Sequence, residues 1–164
     1  MLKYPLERVL VIKKDRVSKA EKVVKEKLRL LEIEQQKLKK VKAERDGVFS
    51  HYQQKITQLR DSLDQGTTSE EVLKMKAYIQ VVKIQLAEEE EKVRKQQEFV
   101  TKAVREVDRA KKDLQKRRLE EEKTKMHKEG WLKIAKREEE LQEEKEQDEM
   151  GQLLYELRRR KEKQ

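Results

Sequence analysis

The sequence of 164 residues contains no cysteine, one proline and four glycines, and only 4% of its residues are aromatic. Without cysteine, the chain has neither a disulfide framework nor a thiolate metal site. So few turn-forming residues predict few and long secondary-structure elements. Because only 34% of the residues are hydrophobic, there is too little apolar volume for a thick globular core.

Long apolar runs are also missing from the sequence. No stretch approaches the roughly 18 apolar residues of a membrane-spanning helix. The segment 1–16 mixes apolar and charged residues and lacks the continuous apolar region of a secretory signal. We therefore expect a cytoplasmic protein without a membrane span.

Charged residues make up 47% of the chain, and the formal net charge is +9. An excess of positive charge raises the question of nucleic acid or acidic lipid as a partner. The two signs are interspersed, however, which favours a solvated helix surface. Disorder is the competing interpretation of so charged a composition, but the apolar periodicity argues against it for most of the chain.

A strict seven-residue apolar repeat runs through the second half of the chain. Seven residues are two helical turns, so such side chains form one stripe, which is typical of a coiled-coil seam. The members of this column are Val72, Ile79, Leu86, Val93, Val100, Val107 and Leu114. A matching column in the first half, interrupted by one charged residue, consists of Leu10, Val17, Val24, Leu31, Leu38, Arg45, Tyr52 and Leu59.

Signals that end one helix and start the next lie between the two columns. Gly66 can adopt the left-handed conformation that ends a helix, and Thr68 with Glu71 fits a capping box. We predict an all-α fold, a long antiparallel two-helix coiled-coil hairpin with a longer second helix. Its single domain, 1–164, is divided into helix one over about 6–65, a turn at 66–68, helix two over about 69–150 and a frayed tail at 151–164.

The register of the hairpin follows from aligning the two apolar columns across the turn. One offset serves both columns and places Leu38 opposite Val100 and Lys27 opposite Lys111. The same offset places Leu6 beside Leu132.

The sequence shows no pattern that points to catalysis, a cofactor or a metal. Two helices form no enclosed pocket, and neither His51 nor His127 has a second His or Cys at helical spacing. The Glu runs at 88–91 and 138–140 point around a helix instead of converging. We predict a non-enzymatic protein with no cofactor and no metal site, in which both histidines are exposed polar residues.

Two basic segments, 37–45 and 102–118, are brought close together by the predicted register. Three interpretations are open for these segments: a solvated face, a surface that binds an acidic protein, or a belt that binds phosphates. Nucleic acid is the least favoured of these partners, because the belt lacks exposed aromatic residues for base stacking and a forked basic region.

The few aromatic residues mark candidate contact points. Tyr52 lies on the seam, where we expect a core position. Phe49 and Tyr78 lie one step off the two seams near the turn, where they could form a contact patch for a partner. Trp131 falls beside the N-terminus in the predicted register, where it packs on Leu6 or Tyr4 or anchors a partner.

The N-terminal residues resemble a known family. The stretch 4–17 starts with Tyr4-Pro5-Leu6, continues with a Leu-x-x-x-Lys run and is followed by Ala20-Glu21. This pattern resembles the start of the YscO/FliJ-type proteins of type III secretion and flagellar export. The far end is similar to the YscO branch through Trp131, Ala135, Arg137-Glu138-Glu139 and Gln147-Asp148-Glu149.

The resemblance implies a stalk at the cytoplasmic face of a secretion apparatus. Family members are antiparallel coiled-coil hairpins that dock in the pore of the hexameric secretion ATPase, promote its assembly or turnover, and reach the export gate. Some also bind secretion chaperones. By this analogy the terminal end enters the ATPase and the turn-proximal half faces the gate. The candidate partner-binding residues are Tyr4, Pro5, Leu6, Arg8, Leu10, Phe49, Tyr52, Tyr78, Val82, Trp131, Gln147, Asp148 and Glu149.

Three alternative functions remain open on the sequence alone. The protein could be an adaptor that escorts secretion chaperones, a basic coiled-coil scaffold without a secretion role, or a nucleic-acid-binding protein.

Overall fold

The fold is known from a computed structural model that describes residues 3–161, to which all structural statements refer. These residues form two helices, α1 (Glu7–Gln65) and α2 (Ser69–Lys161), and no strand. The predicted all-α hairpin of two long antiparallel helices, the second of them longer, is confirmed. None of the described helices is both long and apolar enough to cross a membrane.

The start of α1 is set by the turn that precedes it. Pro5, whose ring fixes φ near the helical value, lies in a turn before the first helical residue. The main-chain N–H of Glu7 donates to the carbonyl of Tyr4 at 3.3 Å, and the N–H of Leu10 donates to the carbonyl of Leu6 at 3.1 Å. The helix thus begins at Glu7, where its carboxylate lies favourably at the positive end of the helix dipole.

The end of α2 lies beyond the boundary suggested by the sequence. The helix continues through Gly151 to Lys161, whereas the repeat pattern placed its end near 150. Its last turn carries Arg158, Arg159, Arg160 and Lys161. These positive charges lie at the negative end of the helix dipole, where they stabilise the last turn of α2. Residues 162–164 of the expected tail lie outside the described residues.

The reversal between the helices uses the residues that the sequence indicated. Gly66 has φ of 84°, a left-handed conformation that residues with a Cβ rarely adopt. The Glu71 N–H donates to the Thr68 hydroxyl at 3.3 Å, and the Thr68 N–H donates back to the Glu71 carboxylate at 3.5 Å. The predicted capping box is therefore confirmed.

The chain divides into two compact units. The turn unit consists of Glu21–Asp113, and the terminal unit consists of Met1–Ala20 with Leu114–Gln164.

The core of the turn unit is a single seam between α1 and α2. Every member of the α2 apolar column from Val72 to Val107 is buried or half-buried. The buried side chains of this unit are Leu38, Val82, Leu86, Val100 and Val107. Arg45 and Tyr52 are half-buried on the seam, as their column predicts, whereas Leu63 beside the turn is 51% exposed.

The register of the turn unit differs from the one predicted. Lys27 contacts Glu106 at 3.3 Å, whereas the predicted register puts Lys27 opposite Lys111. The Lys27–Glu106 and Glu34–Gln96 pairs lie five and eight residues away from the predicted offset, which is therefore wrong by about one and a half to two helical turns. The physical reason is that each apolar column repeats every seven residues, so a slip of one heptad still brings the two apolar columns together. Apolar pattern alone does not choose between the two offsets.

The terminal unit has a smaller core at the start of α1. Its buried side chains are Tyr4, Leu10, Val17 and Ala20. Two ion pairs flank this core, Lys13 with Glu120 at 3.7 Å and Lys128 with Glu7 at 2.6 Å. Further along, α2 leaves many large apolar side chains exposed, namely Leu132, Ile134, Leu141, Met150, Leu153, Leu154, Tyr155 and Leu157.

Candidate partner-binding surfaces

A polar cluster orients Tyr78 near the turn. The ring nitrogen Nε2 of His51 lies 3.1 Å from the Tyr78 hydroxyl, and the two rings meet edge to face at 6.0 Å. The ammonium group of Lys55 lies 5.6 Å from the centre of the Tyr78 ring, a cation–π distance. His51 is half-buried, so the expectation that it is an exposed polar residue is wrong.

The candidate residues of the turn unit differ in their accessibility. Phe49 is 44% exposed and Tyr78 is 48% exposed, whereas Val82 is only 1% exposed. Tyr52 is half-buried in the seam. In this fold, therefore, Phe49 and Tyr78 are accessible on the surface, while Val82 and Tyr52 pack between the helices. Beside Tyr78, a shallow groove is lined by Lys55, Gln58, Lys74, Met75 and Ile79.

The capping residues also shape the electrostatics of the turn. The Glu71 carboxylate accepts hydrogen bonds from the Thr67 hydroxyl and the Thr68 main-chain N–H. These bonds favour the charged form and lower the pKa of Glu71 below its ordinary value of 4.5, against a smaller opposing effect of burial. The turn thus keeps a carboxylate near the first turn of α2, where the helix dipole also favours it.

The terminal unit contains an aromatic cluster that holds the residues before α1. Tyr4 is 5% exposed, and its hydroxyl lies 2.7 Å from Nδ1 of His127. The Tyr4 ring also meets the Trp131 ring edge to face at 5.6 Å. The packing of Trp131 on Tyr4, one of the two roles expected for it, is thus observed.

The role of His127 was missed by the sequence analysis. His127 and Trp131 are four residues apart and therefore lie on one face of α2. That spacing is a signal, because both side chains can then reach one aromatic residue on the neighbouring segment. Nothing in the sequence indicated that Tyr4 would be that residue in preference to Leu6, which is exposed in the structure.

The other candidates of the terminal unit are divided between core and surface. Leu10 is buried, whereas Pro5, Leu6 and Arg8 are exposed. Gln147, Asp148 and Glu149 are exposed on α2. A groove of about 390 Å³ beside Tyr4 is lined by Lys3, Glu7, Lys128 and Leu132.

Among the described residues, no three His, Cys, Asp or Glu side chains are placed so that together they could hold a metal ion. Their charged side chains form ion pairs mainly along single helices, such as that of Arg94 with Glu91 and Glu98 at 2.6 and 2.8 Å. These contacts raise the pKa of Arg94, first through its hydrogen bonds to Glu91. What the arrangement offers is exposed aromatic and charged surface on two helices.

A family model for YscO-like proteins matches residues 1–161. The chain belongs to the YscO-like family. The resemblance carried by Tyr4-Pro5-Leu6 and the residues around Trp131 is thereby confirmed. A comparison with curated proteins gives no match.

Two solved structures are similar to this YscO-like chain. CT670 of Chlamydia trachomatis, described as a YscO homologue, is 65% identical with a TM-score of 0.95, and the match covers 98% of this chain and 99% of that one. A chain of the Chlamydia pneumoniae CdsV and CdsO protein complex is 62% identical with a TM-score of 0.50. That match covers 51% of this chain and 98% of the other.

Proposed function

We propose that this YscO-like protein is a non-enzymatic stalk component of a type III secretion apparatus. It links the hexameric secretion ATPase to the export gate at the cytoplasmic face of the apparatus and stimulates the ATPase. The observation that carries this proposal is a relative 62% identical over half of this chain that belongs to a complex of two proteins, CdsV and CdsO. Membership in the YscO-like family supports it over the whole chain.

The turn unit carries the surface that we assign to the export gate. Phe49 and Tyr78 are large, rigid and about half exposed, and aromatic residues of this kind often dominate the binding energy of an interface. Tyr78 is held in place by His51 and Lys55. Because its orientation is already set, little side-chain entropy is lost when a partner covers it.

The terminal unit carries the surface that we assign to the ATPase. Leu6 and Arg8 are exposed on the first turn of the chain, while Tyr4 and Trp131 hold that turn on α2. Gln147, Asp148 and Glu149 extend the exposed surface along α2. Leu10 supports this surface from the core.

The assignment of the terminal unit is tested by ATP hydrolysis. Adding the full chain to the purified secretion ATPase should raise hydrolysis or hexamer assembly, and the double variant Leu6→Ala/Arg8→Ala should lose most of that effect. The control is Leu73→Ala, a change of an exposed apolar residue in the turn unit. An unchanged rate and an unchanged assembly state across a concentration series of the unsubstituted chain would contradict the proposal.

The assignment of the turn unit is tested by binding to a CdsV homologue. Replacing Phe49 and Tyr78 by alanine should weaken binding about 10-fold or more, which corresponds to about 1.4 kcal/mol or more. Ile84→Ala is the matched control, because Ile84 is 60% exposed in the same unit. Equal weakening by the control would assign the effect to general loss of apolar surface instead of this patch.

A further inference from the structure

The turn unit contains an open groove of about 780 Å³ that neither of the two assigned surfaces includes. Its α2 side is formed by residues three or four apart from Glu90 to Arg105, among them Val93 and Thr101, and Lys42 of α1 closes it from the other side. The α2 side therefore follows one helix face. From Glu90 to Arg105 this face is about 22 Å long at 1.5 Å per residue.

The charges of the groove are not balanced within the chain. Lys42, Lys102 and Arg105 line it and have no ion pair or hydrogen bond among the described residues. Arg94 also lines it, but its guanidinium is held by Glu91 and Glu98. Glu90 is the one carboxylate of the lining that is not held in this way. An uncompensated positive surface of this kind favours an acidic partner.

A segment with the complementary charge lies on the same chain. Residues 138–149 contain eight carboxylates and one lysine, in a protein whose formal net charge is +9. All of them are exposed on α2. Glu139, Glu143 and Glu146 follow one another at helical spacing. Glu139 and Glu143 have no partner among the described residues, and Glu146 accepts only from Gln142 at 3.3 Å.

We propose that the groove of one copy of the protein binds the acidic segment 138–149 of a second copy. The segment is about 16 Å long as a helix, so it fits along the groove. Its carboxylates would face Lys42, Lys102 and Arg105. The methylene groups of these basic side chains, together with Val93, would cover the methylene groups of its glutamates. The groove and the segment both belong to α2, so the contact requires two chains.

Such a contact joins two different surfaces, so it can either close as a two-fold symmetric pair, in which each copy supplies one groove and one segment, or repeat head to tail. Its attraction is mainly electrostatic between exposed groups, so it is weak and strongly reduced by salt. The inference does not depend on the proposed secretion function, since it concerns the purified protein alone.

The experiment is sedimentation velocity on the full chain, in a concentration series at low and at high salt. Self-association is expected at low salt and should disappear at high salt. The groove variant Lys102→Glu/Arg105→Glu and the segment variant Glu139→Lys/Glu143→Lys should each weaken it about 10-fold or more. A mixture of the two variants should associate again, because the unchanged segment of the groove variant can bind the unchanged groove of the segment variant.

The matched control is Lys22→Glu/Lys25→Glu, which makes the same change in net charge on exposed residues of the turn unit outside the groove. It should leave self-association within about twofold, and circular dichroism should show equal helix content in all variants. The proposal is overturned if the unsubstituted chain remains monomeric at every salt concentration, if the control weakens association as much as the groove variant, or if the mixture fails to associate. Binding of RNA or duplex DNA that the groove variant abolishes, with no self-association, would also overturn it.

Discussion

The side-chain amide of Gln96 donates to the carboxylate of Glu34 at 2.6 Å and to its main-chain carbonyl at 3.2 Å. Both residues lie on the seam of the turn unit, at positions where the heptad pattern is polar instead of apolar. A polar pair on a coiled-coil seam specifies register, because any slip of the helices leaves its hydrogen bonds unmade. The offset of the hairpin is therefore set by its polar seam residues together with Lys27 and Glu106.

The observed register predicts a zero-length crosslink between native residues. A carbodiimide that joins amines to carboxylates should link Lys27 to Glu106, whose charged atoms are 3.3 Å apart. Mass spectrometry of the dilute, monomeric protein should find this link, and Lys27→Arg should remove it. The register expected from the apolar columns would instead bring Lys27 towards Asp113, so a dominant link to Asp113 would contradict the structure.

The burial of Val82 predicts a large effect on stability. Val82→Ala should lower the free energy of unfolding by about 1.5–3 kcal/mol, because the side chain is 1% exposed and its removal leaves a cavity in the seam. Its neighbour Val81 is exposed, and Val81→Ala should change stability by less than about 0.5 kcal/mol. Urea denaturation followed by circular dichroism measures both, and equal effects would contradict the assignment of Val82 to the seam.

The hydroxyl of Tyr4 predicts a local effect in the terminal unit. Tyr4→Phe keeps the ring contacts with Trp131 but removes the hydrogen bond to His127. The loss should be about 0.5–1.5 kcal/mol and should appear as faster amide hydrogen exchange in the first turns of α1. Tyr155→Phe, at an exposed position, is the matched control. The prediction is wrong if the exchange rates of these turns are the same in both variants.

The capping carboxylate of Glu71 predicts a pH-dependent contribution to stability. Its pKa is lowered in the folded state by the Thr67 hydroxyl and the Thr68 N–H. The charged form is thus favoured by folding, so the stabilisation is complete above the ordinary value of 4.5 and is lost as the pH falls through the lowered folded pKa.

The measurement compares the urea midpoints of the unsubstituted chain and Glu71→Gln at a series of pH values. The unsubstituted chain should be more stable near neutral pH, and the difference should narrow in acid. Other glutamates with lowered pKa, such as Glu26 and Glu91, titrate in both proteins and do not affect the comparison. A difference that stays constant from neutral pH into acid would contradict the role of the Glu71 charge.

Much of this fold follows from two short-range features of the sequence. The seven-residue column from Val72 to Val107 depends only on helical geometry, and it is buried or half-buried as predicted. The turn depends on the intrinsic preferences of Gly66 and on the Thr68–Glu71 capping box, which act within a few residues.

The features that the sequence predicted wrongly or not at all depend on contacts between the helices. The register is set by the contacts that Gln96 and Lys27 make across the seam, because the apolar spacing alone is compatible with two offsets. The pairing of Tyr4 with His127 joins residues far apart in sequence. The accessibility of Phe49 and the burial of Val82 likewise depend on which side of each helix the partner helix covers.

The last prediction concerns Glu89, a charged residue at a seam position. One carboxylate oxygen of Glu89 bonds Lys92 at 2.7 Å, while the other is buried without a hydrogen-bond partner among the described residues. A buried acceptor without a partner is destabilising, and leucine would restore the apolar column at this position. Glu89→Leu should therefore raise the free energy of unfolding by about 1–2 kcal/mol. Glu88→Leu, on the exposed side of the same turn, should give less than about 0.5 kcal/mol. Urea denaturation measures both variants. If Glu89→Leu destabilised the protein while Glu88→Leu did not, the prediction would be wrong, and the second carboxylate oxygen of Glu89 would have to accept a hydrogen bond in solution.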